Sequence, residues 1–120
     1  MNEVDDPQRK YAEQCRLYLI NAYNVLNSGE ASKAGEFLWG AMAEAIKAVA
    51  ANKGIVLSSH GELWRFATEL TNELGDDQVY RAFREANSLH SNFYESRLEV
   101  ADVRSSAEII GAAIGRLLGL

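Results

Sequence analysis

This chain predicts an all-α fold, an up-and-down bundle of four to five helices. Three observations lead there. Apolar residues recur every three or four positions in each long segment, and no segment alternates with the period of a strand. A single proline stands among 120 residues rich in Ala, Leu and Glu, which lose little rotamer freedom in a helix. Every connection is short, so consecutive helices should lie side by side. The length suits one domain, with residues 1–6 expected to be flexible.

The first helix should open at Asp6-Pro7, with Asp6 as N-cap and Pro7 as first helical residue. Tyr11, Cys15, Tyr18, Leu19, Ala22, Val25 and Leu26 mark its inner face, and "NSG" (Asn27 to Gly29) ends it. A second helix should run from about Glu30 to Lys53, stopped by Gly54. Its apolar set (Ala34, Phe37, Leu38, Ala41, Met42, Ala45, Ile46, Val49) spans so wide an arc that a central position is expected. Gly35, Gly40 and the alanines would let neighbours come close.

Ser59-His60-Gly61-Glu62 matches a capping box at the start of a third helix, striped by Leu63, Phe66, Ala67, Leu70 and Leu74 and closed by Gly75. Asp76 should cap a fourth helix whose inner line is Val79, Phe83, Ala86, His90 and Phe93. After "LEVAD" a fifth helix carries Val103, Ile110, Ile114, Leu117 and Leu118. The core should include Tyr18, Leu38, Met42, Ile46, Phe66, Leu70, Phe83 and Phe93.

The formal charge of −5, from 17 acidic and 12 basic side chains, argues against non-specific binding to nucleic acid. Cys15 is the only cysteine, so an intrachain disulfide and a multi-cysteine metal site are excluded. "MNEVDDPQRK" is no secretory signal. The most apolar end, "AEIIGAAIGRLLGL", has 14 residues including Arg116, too few for a membrane span. A cytoplasmic protein with no membrane association is expected.

His90 lies on the most apolar line of helix four, within about 40° of Phe83, Ala86 and Tyr94. There it serves either as a core histidine held by one hydrogen bond or as a general acid–base group in an apolar wall. Arg84 precedes it by six residues, which leaves the two side chains about 120° apart and about 9 Å along a straight helix. They would meet on one phosphate only across a helix break or a dimer. His60 sits in the first turn of helix three, near N–H groups that attract anions. Glu44 flanks the apolar arc of helix two, where an unpaired carboxylate is costly. The spacing of these groups matches no compact ligand motif, so neither metal nor cofactor is expected. Gly111, Gly115 and Gly119, every fourth residue of the last helix, fit close helix approach within the bundle or across a dimer. With the wide arc of helix two they predict a homodimer.

"KAGEFLWGAMAEAIKAVA" (Lys33 to Ala50), "SSHGELWRF" (Ser58 to Phe66) and "LHSNFYES" (Leu89 to Ser96), in this order, resemble the archaeal and bacterial PaREP family. That family is similar to the HEPN superfamily of small helical bundles, and the likeness runs from Lys33 to the C-terminus. The resemblance implies two functions. One is a non-catalytic module, a homodimer that binds a nucleotide, another small ligand or a protein partner, with His60, His90, Asn92, Tyr94 and Glu95 as ligand-binding or signature residues. Superfamily members of this kind pair with a nucleotidyltransferase, and toxin members with an antitoxin. The alternative is a metal-independent ribonuclease, acting on RNA, with Arg84 and His90 catalytic across a dimer cleft. Glu85 follows Arg84 where active members place a small polar residue, and this favours the non-catalytic module.

Overall fold

The structure, a computed structural model, describes residues 6–91 and 98–119. These form five helices: α1 (Pro7–Asn27), α2 (Ala31–Asn52), α3 (His60–Leu74), α4 (Gln78–Ser91) and α5 (Val100–Leu118). The chain is an all-helical bundle.

The helix ends follow local chemistry. Asp6 is in extended backbone, and its carboxylate accepts from the N–H groups of Gln8 and Arg9. Ser59 accepts from the Glu62 N–H at 3.1 Å, the forward half of the capping box. The returning half differs from expectation. Glu62 reaches one residue further back and takes the Ser58 N–H at 2.7 Å and the Ser58 hydroxyl at 3.1 Å. These bonds hold its carboxyl below the usual range. Gly54 and Gly75 have φ of 75° and 77°, a conformation that L side chains avoid. Asp76 accepts from the Gln78 N–H at the start of α4 and from Arg116 at 2.8 Å, which ties the end of α5 to it.

The wide apolar arc of α2 does place it centrally, touching every other helix. Leu38, Met42 and Ile46 are sealed from solvent, as are Phe83, Val79, Val103 and Ile110 from α4 and α5. Phe66 and Leu70 of α3 are also buried. Tyr18 departs from the expected core, being only partly buried. Its ring packs on α2, where a Cβ at Gly40 would stand 3.0 Å from it. Gly35 likewise admits Leu89 of α4. Gly111 behaves otherwise, since a Cβ there would meet nothing within 4 Å among the described residues. Close packing inside the bundle therefore does not explain that glycine. The expected core position of Phe93 lies outside the described residues.

Candidate functional site

Glu36 and Trp39, three residues apart on one face of α2, build the candidate site. Glu36 and Trp39 project from the first half of α2 toward the end of α4 and the start of α3. Both Glu36 carboxylate oxygens accept from His90 Nδ1, at 2.9 and 3.0 Å. This pairing sets the proton on Nδ1 and leaves Nε2 for other work. Trp39 stacks on both histidines, its ring centre 5.0 Å from that of His60 and 5.1 Å from that of His90. The two imidazoles are 6.4 Å apart and inclined by 24°. Phe83 supports the group edge-on to Trp39, and Trp64 leans on Phe83 at 4.7 Å.

The structure thus brings His60 and His90 together through a tryptophan. His90 is not the sealed core residue that its place on the apolar line suggests. Its side chain is 38% exposed, because it turns to the flank of α4 to meet Glu36. Leu89 takes the buried position instead.

Arg84 does not join them. α4 runs unbroken from Gln78 to Ser91, so Arg84 and His90 face different ways. The Arg84 guanidinium stands over the Tyr80 ring at 5.9 Å. Glu85 accepts from the buried Ser106 hydroxyl at 2.6 Å and locks α4 to α5. Its place after Arg84 thus has a structural use. Asn92, Tyr94 and Glu95 lie outside the described residues.

Beside the cluster lies a cavity of about 490 Å³, within the range of small-molecule sites. Glu36 and Trp39 form its edge next to the histidines, and Ala43 and Gly40, the latter under the Tyr18 ring, line it along α2. Tyr18 and Phe37 make an aromatic wall, with ring centres 6.1 Å apart. Lys33 and Lys47 stand at its two ends, and Glu44 lines it near Lys47. Glu44 Oε2 is buried with no hydrogen-bond partner among the described residues. Burial holds this carboxyl above its usual range, and the Lys47 charge offsets part of that. Burial also lifts Cys15 to about 11, which makes the thiol inert at neutral pH. No group of three His, Cys, Asp or Glu among the described residues is arranged to hold a metal ion.

Sequence reasoning missed Glu36 and Trp39. His90 and Glu36 are 54 positions apart, beyond any local pattern. One signal was present: Lys33, Glu36, Gly40, Ala43, Glu44 and Lys47 recur at helical spacing, a charged stripe interrupted by small residues.

A family model described as the archaeal PaREP1/PaREP8 family matches residues 10–113, and so reaches back through most of α1. No curated protein and no solved structure matches.

Proposed function

The chain belongs to the archaeal PaREP1/PaREP8 family, and from that premise we propose a HEPN-like, non-catalytic binding module that takes a nucleotide-sized ligand beside Trp39. One observation carries the proposal. Glu36, which pairs with His90, and Trp39, which stacks on His60, line a cavity of about 490 Å³, while Arg84 points elsewhere. An aromatic edge with a few convergent polar groups is the usual make-up of a small-molecule site. Hydrolysis of RNA without metal would need a cation beside the histidine where charge develops on phosphate, and within one chain Arg84 is not there.

The module works as a cytoplasmic homodimer in this proposal. No helix among the described residues is long and apolar enough to cross a membrane. Leu17 and Ile20, 51% and 58% exposed on one side of α1, offer an apolar surface for a second copy. Sedimentation equilibrium at micromolar concentration should give twice the 13.3 kDa chain mass. A monomer would remove both the dimer and any cleft shared between copies.

Incubating the purified protein with mixed RNA in chelator decides between module and nuclease. The expected result is intact RNA. Cleavage that persists without metal and disappears in both Arg84→Ala and His90→Ala would overturn the binding module. His90→Ala should cost no more than about 1 kcal/mol of stability, because its hydrogen bond to Glu36 is more than a third exposed.

A further inference from the structure

We infer that α1 is the seam of the homodimer, pairing antiparallel with α1 of a second copy about a two-fold axis between Leu17 and Ile20. This rests on the homodimer of the preceding proposal and gives its interface and orientation.

Among the described residues α1 contacts only α2 and α5, and its outer face carries Leu17 and Ile20, 51% and 58% exposed. At about 100° per residue, Glu13, Leu17, Ile20 and Asn24 fall within an arc of about 60°. All four are exposed, and they are spaced evenly about the midpoint of residues 18 and 19. A two-fold axis at that level sets Leu17 against Ile20 of the second copy, and Glu13 against its Asn24. Each copy then covers its two apolar side chains, and the Glu13 carboxylate gains an amide donor.

Charge fixes the direction. The charged residues of α1, Arg9, Lys10, Glu13 and Arg16, all lie in its first half, and residues 17–27 carry none. Parallel helices would set like groups together, Lys10 on Lys10 and Glu13 on Glu13, which is repulsive. Antiparallel helices set each charged half against an uncharged one. Arg9 and Lys10 also stand at the start of α1, the end where the helix dipole disfavours cations, while its last turn has no basic residue. The antiparallel arrangement brings them beside the carbonyl end of the second α1, which favours them. A single helix pair is small beside the roughly 1,200–2,000 Å² of stable complexes, so its dissociation is within reach of measurement.

Sedimentation velocity over a concentration series tests the seam. Ile20→Glu should raise the dimer dissociation constant more than about tenfold, because it sets two carboxylates at the centre. Glu13→Lys should weaken the dimer several-fold, and adding Asn24→Glu should restore it, since the new lysine meets the new glutamate only between antiparallel helices. Mild oxidation should link Ile20→Cys into a covalent dimer. It should not link Val56→Cys, which is more exposed but lies in the connection before α3. Cys15 is buried and does not compete. A thermal melt of each variant confirms folding. A dimer indifferent to Ile20→Glu, or linked through Val56→Cys alone, would overturn the α1 seam while keeping the dimer. Loss of the dimer in Ile20→Glu, with no rescue by the Glu13 and Asn24 exchange, would overturn the antiparallel pairing. A wild-type monomer at millimolar concentration would overturn both seam and dimer.

Discussion

Glu44 shows how a single side chain can cost stability at a binding surface. Its carboxyl ionises around 4.5 in ordinary surroundings, and burial raises that value in the fold. An acid with a raised value stabilises the fold most while protonated. That contribution is fully present below 4.5, shrinks as pH rises through the folded value, and is then level. Glu44→Gln removes the ionisation, so the variant should melt above the wild type at pH 7, with the difference closing toward pH 4. Melting curves at both values check this. A variant less stable than wild type at pH 7 would show that Glu44 is held by favourable contacts instead. Residues that lower stability at a cavity are commonly kept for what they bind.

At the scale of the helix, the legible parts were those governed by near neighbours. Asp6-Pro7, Ser59 with Glu62, Gly54 and Gly75 announce their boundaries because capping acts over three or four residues. The arc of α2 announced its central place for the same reason. The candidate site was legible only by halves. His60 and His90 could be singled out as residues, but their meeting at Trp39 and the Glu36 pairing depend on how three helices cross. Arg84 and His90 were correctly separated by helix geometry alone.

The glycines separate in a testable way at this scale. Gly111→Ala should stabilise by about 0.5–1 kcal/mol, since the new methyl meets nothing and the helix gains propensity. Gly40→Ala should destabilise despite the same propensity gain, because the Tyr18 ring must move from its 3.0 Å approach. Urea melts of the two variants should therefore shift in opposite directions. If Gly111→Ala destabilised only at concentrations where the protein self-associates, that face would belong to the dimer.

The whole molecule is organised around α2, which contacts α1, α3, α4 and α5, whereas α1 contacts only α2 and α5 among the described residues. This asymmetry sets a hierarchy of opening events. Loss of α1 leaves the contacts among α2, α3, α4 and α5 in place, whereas loss of α2 removes a contact from every other helix. In native-state hydrogen exchange, the amides of Leu38, Met42 and Ile46 should therefore exchange only through complete unfolding and share one denaturant dependence. The amides of α1 should exchange through a smaller opening, with a shallower slope in urea. That opening would also lift Tyr18 off Gly40 and dismantle one wall of the cavity. A ligand seated there should slow exchange along α1 while leaving the slope that marks this partial opening in place, so the binding partner of this protein can be sought by the protection it confers on a helix it scarcely touches.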